Sequence, residues 1–307
     1  MPIDDLRLKL QERPYLWAYI VGGSVLILCS ILWWFIVFLG TQHVFWSMIS
    51  NSLDTRGVVI QTSQSQGKTS LQQSIQVDTS VQQARSLTIL TQNDTTVKTE
   101  VIGTKDADYT RYVDIASKTK TDTSKIKNVW SKSDDTQQSP TQSSGHQLYA
   151  QATLGIGLPL GSVPVAIGAL PAEQRSSLYN SIRNQNLYKP DFGKVKKEWK
   201  HGRLLYTYQV KVQTLLYISM MKDLAKALGL HELEAADPNS FSNTPTFTAS
   251  VTVDALSHQL AAVNFTEQGY SQTYQSFGLP LHTTPPKSFI TSDELQKRLV
   301  DIGQASQ

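Results

Sequence analysis

Several residue groups in this sequence have types and spacings that could carry chemistry. Gly67-Lys68-Thr69 comes after the strand-like stretch beginning at Gly57, as a phosphate-binding loop would, but that loop needs an earlier glycine where this chain has Thr62. Ser65 and Lys68 form the Ser-x-x-Lys spacing of penicillin-interacting acyl enzymes. Ser117/Lys120 and Ser124/Lys127 repeat it by composition alone, and no partner motif accompanies any of them. Gly155-x-Gly157 leads into Pro159 rather than into a helix N-terminus whose amides could hold a pyrophosphate. The histidines His43, His146, His201, His231, His258 and His282 are scattered, and His231-Glu232-Leu233-Glu234 lacks the second histidine of a helical zinc site. Asp106 and Asp108 supply two carboxylates in a turn, short of the six or more oxygens that calcium takes. The expectation is a protein that is not an enzyme, with no catalytic residues, no metal and no cofactor.

Composition narrows the partners. A net charge of +3 spread over 307 residues is too diffuse for a nucleic-acid surface, which needs basic residues gathered on one face. The single cysteine, Cys29, lies inside an apolar run, so no internal disulfide can form. The position before it holds Leu28 where a lipoprotein signal wants a small residue, which favours a membrane-buried thiol. The one basic cluster, Lys194 to Arg203, contains Trp199. It reads either as a charged hairpin face or as a site that meets an anionic lipid surface.

The strongest signal is positional. From Tyr15 to Leu39 no residue is charged, and the run is long enough to cross a hydrocarbon layer that needs about 20 apolar residues. Trp17 at one end and Trp33 and Trp34 toward the other suit the interfacial zones as membrane anchors. Arg7, Lys9 and Arg13 precede the span, while beyond it only Arg56 comes before Lys68, so the N-terminus is expected in the cytoplasm and the rest outside. The localisation is then the plasma membrane, single-pass, with the bilayer itself as a partner. The run is longer than the apolar part of a signal peptide and ends without a small-x-small cleavage site.

The elements that must position these groups divide the chain. Residues 1–14 read as a cytoplasmic N-terminus, 15–39 as the transmembrane helix and 40–56 as a juxtamembrane helix. Within the last, Val44, Phe45, Met48 and Ile49 share a face that prolongs the span or lies along the surface. Residues 57–290 read as one extracytoplasmic domain and 291–307 as a tail or short helix. Strands are expected over Leu71 to Asp78, Ala84 to Gln92, Thr96 to Gly103 and Tyr109 to Ile115, forming an antiparallel meander. Residues 131–146 are too polar to offset their ordering entropy and read as a mobile loop. Gln147 to Ala172 carries no charge, and from Pro171 a helix with proline in its first turn is expected. Alternating apolar residues mark strands from Leu204 to Val212 and from Phe247 to Val253, with a helix over Leu215 to Leu230 between them. The fold class is α+β: a single transmembrane helix, then an antiparallel sheet with packed helices.

The segment from Ala249 to Pro286 resembles the closing strands of the LolA/LppX/LprG-like envelope carriers. The matching residues are Val251, Val253 and Asp254; then Leu260, Val263 and Phe265; then Tyr274, Phe277, Gly278, Pro280 and Pro286. The resemblance implies a half-open β-barrel wrapped around helices, with an apolar cavity that holds acyl chains of lipids or lipoproteins. The residues expected to line it are Leu154, Ile156, Leu158, Val163, Val165, Ile167, Tyr206, Tyr208, Phe247 and Val251. The uncleaved anchor departs from that family and speaks for a fixed binding domain rather than a shuttle. The alternative expectation is a structural or interaction domain of the cell envelope whose core is filled by its own side chains.

Overall fold

The computed structural model describes residues 14–118, 122–133, 147–154, 167–230, 233, 237–241, 243–244, 246–265, 270–281 and 283–305. The uncharged run forms one helix, α1 (Pro14–Phe38), opened by a proline whose missing N–H the first turn does not need. Leu26 and Trp33 are each 70% exposed, so the described middle of α1 stands clear of the rest of the protein, while Phe38 at its end meets His258. Its side chains are described only at Tyr19, at residues 21–33 and from Val37 onward, fewer consecutive positions than the ~20 a bilayer core requires. Among the described residues no helix is long and apolar enough to cross a membrane.

The chain turns at Gly40, whose extended backbone breaks the helix, and α2 (Thr41–Leu53) begins. Val44, Phe45, Met48, Ile49 and Leu53 recur at helical spacing and are all buried. The sequence pattern places this apolar face on a membrane surface or in a prolonged span; the structure turns it into the core instead. Burying such side chains stabilises by roughly 1.5–3 kcal/mol each, which a free surface helix would forgo. The folded unit therefore begins at Thr41 rather than at residue 57.

The strands are β1 (Gly57–Gln66), β2 (Thr69–Asp78), β3 (Gln83–Gln92), β4 (Thr95–Gly103), β5 (Asp108–Ala116), β6 (Ser131–Ser133), β7 (Tyr188–Pro190), β8 (Lys196–Lys200), β9 (Arg203–Val212), β10 (Phe247–Asp254), β11 (Gln259–Phe265), β12 (Tyr270–Gln275) and β13 (Ile290–Thr291). They form one sheet in the order β13-β6-β5-β4-β3-β2-β1-β12-β11-β10-β9-β7, with β8 also on β9. Every pairing is antiparallel except β13 with β6. Among the described residues the two ends of this path are not paired with each other. The four expected early strands and the two late ones are present within two residues of their expected bounds. β1 was read only at its apolar start, from Gly57, because Gln61 to Gln66 carries no apolar residue to mark one face.

The remaining helices are α3 (Gln147–Leu154), α4 (Ala172–Asn184), α5 (Thr214–Leu228) and α6 (Ser292–Ala305). In α5, Tyr217, Met221 and Leu224 form the buried stripe, and Gly229 at φ 68° closes the helix, with the Leu230 N–H returning to Ala225 O at 2.8 Å. The expected loop 131–146 is corrected at its start, where Ser131 is buried in β6; residues 134–146 lie outside the described residues. Of the uncharged run, residues 155–166 also lie outside them. Gly168 and Leu170 donate their N–H groups to Ser52 O and Leu53 O, which lays that stretch along the end of α2.

One core joins α2, α3, α4 and α5 to strands from both halves of the sheet, from Val58, Ile60, Ile75 and Val77 to Tyr208, Val251 and Val263. The helix α2 crosses the strands at one end of the sheet. Tyr206 donates its hydroxyl to Leu39 O, Tyr208 to Thr41 O, and Asn51 Nδ2 donates to His258 O. This end, with the β2–β3, β8–β9 and β10–β11 turns, is the proximal end; the β1–β2 and β3–β4 turns mark the distal end.

Candidate ligand-binding face

On β2 to β5 the side chains facing the helices fall into rows set by the strand register. Nearest the proximal end, Val77, Ala84, Gly103 and Asp108 form one row, closed by α3. Leu148 N donates to Asp108 Oδ2 at 3.2 Å, and a Cβ on Gly103 would lie 2.8 Å from the Leu148 Cβ, so only glycine admits the helix there. The middle rows are polar as well as apolar: Gln73 Nε2 donates to Ser86 Oγ at 3.2 Å, and Ser86 and Thr88 hydroxyls lie 3.3 Å apart.

The distal row is Leu71, Leu90, Val97 and Ile115, each directly opposite the next across the ladder. At about 4.8 Å between strands, it makes an apolar strip some 14 Å wide on the inner face. Burial fails here: Leu90 is 37% exposed, and Leu71, Val97 and Ile115 are only half-buried. A ligand that covered this row with hydrocarbon would gain roughly 25 cal/mol for each Å² of apolar surface removed from water. The strip offers dispersion and desolvation rather than proton transfer. Among the described residues no group of three or more His, Cys, Asp or Glu could hold a metal ion.

The residues expected to line a cavity are placed differently. Leu154, Ile167, Tyr206, Tyr208 and Val251 are each at most 3% exposed and share the main core with the protein's own helices. The Tyr208 ring lies 5.2 Å from Phe45 and 6.3 Å from Phe192, and burial, with Tyr206 adding to it, pushes its hydroxyl well above the usual tyrosine range. Phe247 is half-buried, with its ring 6.0 Å from Tyr217 and 6.4 Å from Phe265. Ile156, Leu158, Val163 and Val165 lie outside the described residues. Trp33 is exposed on α1; the side chains of Trp17 and Trp34 are outside the described ones. The distal row was not singled out from sequence. Its signal was the period-2 pattern of strands already located, but only the register joins the four side chains.

The opposite face of the sheet carries the main ionic feature. Glu100 is 3% exposed and accepts from Arg85 Nε and Arg111 Nε at 2.7 Å each, with the Arg111 guanidinium 4.6 Å over the Trp130 ring. Burial pushes the Glu100 carboxyl up, but the hydrogen bonds and charges of Arg111 and Arg85 outweigh it and hold it below the usual carboxylate range. Gly67-Lys68-Thr69 is the β1–β2 turn, with Gly67 at φ 60°. Asp106 is exposed in the β4–β5 turn, while Asp108 is committed to Leu148. No family model and no curated protein matches the chain.

Proposed function

We propose that the protein is a membrane-anchored, non-enzymatic binding domain of the cell envelope that takes acyl chains of lipids or lipoproteins against the distal inner face of its half-open sheet. The observation that carries this reading is the row Leu71, Leu90, Val97 and Ile115, exposed at Leu90 and half-buried at the other three, on the same face as the main core. Single aliphatic residues on a surface mean little, whereas a contiguous row across four strands is the form a hydrocarbon site takes. On this reading α1 spans the plasma membrane with the N-terminus in the cytoplasm. Its 25 residues carry no charge, and the described ones are exposed as lipid-facing side chains are. A phosphatase fused after Gln307 is then active only on the outer side.

The second reading is a structural or protein-interaction domain with no ligand. It is favoured by the packing of Tyr206, Tyr208, Val251, Leu154 and Ile167 against α2 and its neighbours, which leaves the proximal half filled by the protein itself. Native mass spectrometry of the detergent-extracted full chain separates the two. The first reading predicts a retained lipid mass that Leu90→Asp removes. The second predicts either no lipid or the same lipid in both proteins, held by α1 alone.

A further inference from the structure

Among the described residues outside α1, seven large apolar side chains are exposed, and four of them gather at one place: Trp199 at 65%, Leu279 at 55%, Val81 at 51% and Leu256 at 47% lie on the turns and strand ends of the proximal end, while Leu90, Phe289 and Val300 lie elsewhere. Each of those segments is tied by backbone or side-chain hydrogen bonds to α2 or to the chain flanking it, between Leu39 and Gly57. The β2–β3 turn is held by Thr79 Oγ1 donating to Arg56 O at 2.9 Å, and the β10–β11 turn by Asn51 Nδ2 donating to His258 O at 3.1 Å. The segment after β12 is held by Gly278 N donating to Gly57 O at 2.8 Å. The β8–β9 hairpin turns tightly through His201 and Gly202, both at positive φ, and lies beside Tyr206, whose hydroxyl reaches Leu39.

The charge at this end is lopsided. Strand β8 is exposed along its whole length and presents Lys196, Lys197 and Lys200 against a single Glu198. Trp199 pairs with Leu204 and Lys197 with Tyr206, so both project on the sheet face that meets the end of α1, with Lys197 Nζ 4.8 Å over the Tyr206 ring. The acids nearby are already engaged: Asp254 accepts from Arg203 Nε at 2.6 Å, and Asp54 pairs with Arg175. Lysines alone are a common way to blunt an edge strand, but they do not account for a tryptophan left open among them, nor for three further apolar tips at the same end.

We propose that this proximal rim is a lipid-contact surface, which seats the domain on an anionic bilayer around the point where α1 enters it. The inference rests on reading α1 as a membrane anchor. Tryptophan prefers the interfacial zone, the aliphatic tips gain by leaving water, and lysines extend their stems toward acidic headgroups. The rim thereby fixes the sheet upright on the membrane, with the distal row facing away from it.

The test uses the full chain in nanodiscs, in a Cys29→Ser background, with an environment-sensitive fluorophore attached through Leu256→Cys and, separately, through Asp94→Cys at the distal end. In phosphatidylglycerol discs with brominated acyl chains, the Leu256 probe is expected to lose more than about half of its emission, and the Asp94 probe to be unaffected. Adding Trp199→Ala, Lys197→Glu and Lys200→Glu, or changing to phosphatidylcholine, is expected to restore most of that emission. Equal emission from the two probes, or quenching indifferent to lysine reversal and lipid charge, overturns the proposal; the second result would point to a protein or purely apolar partner. Failure of the anchor itself reads out separately, as release of the chain from membranes by alkaline carbonate.

Discussion

The Tyr206 hydroxyl donates to the Leu39 carbonyl at 3.1 Å, binding strand β9 to the chain where it leaves α1. Tyr208 repeats the contact one turn of the pleat further on, to Thr41 O at 2.9 Å. Leu39 O lies just past the last turn of α1, where carbonyls run out of helical donors, and Thr41 O, in the first turn of α2, receives the phenol in addition to its place in the helix. Tyr206→Phe and Tyr208→Phe are each expected to cost about 1 kcal/mol, and together to raise hydrogen exchange of the amides from Leu39 to Phe45 well above that of α5. Unchanged exchange in the double variant would mean that the bend is held by packing alone.

Glu100 is the acid on which the outer face of β3 to β5 depends. Glu100→Gln is expected to destabilise the domain by roughly 2 kcal/mol, because a buried neutral amide cannot match two guanidinium groups. Its carboxyl is held below the usual range, so its contribution is present above the unfolded value of about 4.3 and is lost as the pH falls through the folded value. Urea unfolding at a series of acid pH values should show a steeper loss in the native protein than in Glu100→Gln.

His258 gives a second pH dependence, at the proximal end. It is 6% exposed, its ring lies 4.4 Å from Phe38 and 5.3 Å from His43, and burial, then repulsion from His43, lowers its basicity, against weaker opposing pulls from the Phe38 backbone and from Asp254, itself paired with Arg203. The group binds protons more readily unfolded than folded. Its contribution is therefore present above the unfolded value of about 6.5 and lost as the pH falls below it. Melting temperature should drop between about pH 7.5 and 5.5, and His258→Asn, which tolerates φ 52°, should flatten that drop. An unaltered slope in the variant would assign it to other groups.

Ile167 and Leu90 separate core from ligand face. Ile167 is 1% exposed beside α2, so Ile167→Asp buries an unpaired carboxylate, at a cost of several kcal/mol, and should prevent folding. Leu90→Asp places its charge at a half-open position and should leave cooperative unfolding intact. If circular dichroism melts show both variants equally unfolded, the distal row is ordinary core.

Much of the architecture was legible because period-2 and period-3.6 patterns are local. β9 and β10 alternate so regularly that their inner faces, Tyr206 to Val212 and Phe247 to Val253, could be read directly, whereas the expected helix from Leu215 to Leu230 runs past Gly229, which closes α5. What escaped the sequence depends on distant pairing. The buried face of α2 looks the same whether it meets lipid or the strand residues Tyr188 and Tyr208. The candidate site was displaced for a related reason: Tyr206, Tyr208 and Val251 have the composition of a cavity wall, but whether a wall faces space or a helix is decided by where α2 lies. The distal row needs the β2–β5 register, which no local pattern contains.

The proposed function stands or falls on whether hydrocarbon is held on the inner face of β2 to β5. A diazirine-bearing fatty acid, photolysed with the full chain in nanodiscs and mapped by peptide mass spectrometry, decides this. Label is expected on peptides from Leu71 to Ile115, competed by unlabelled fatty acid and lost in Leu90→Asp and Val97→Asp. Label confined to α1, and unchanged in those variants, would contradict acyl-chain binding at the distal row.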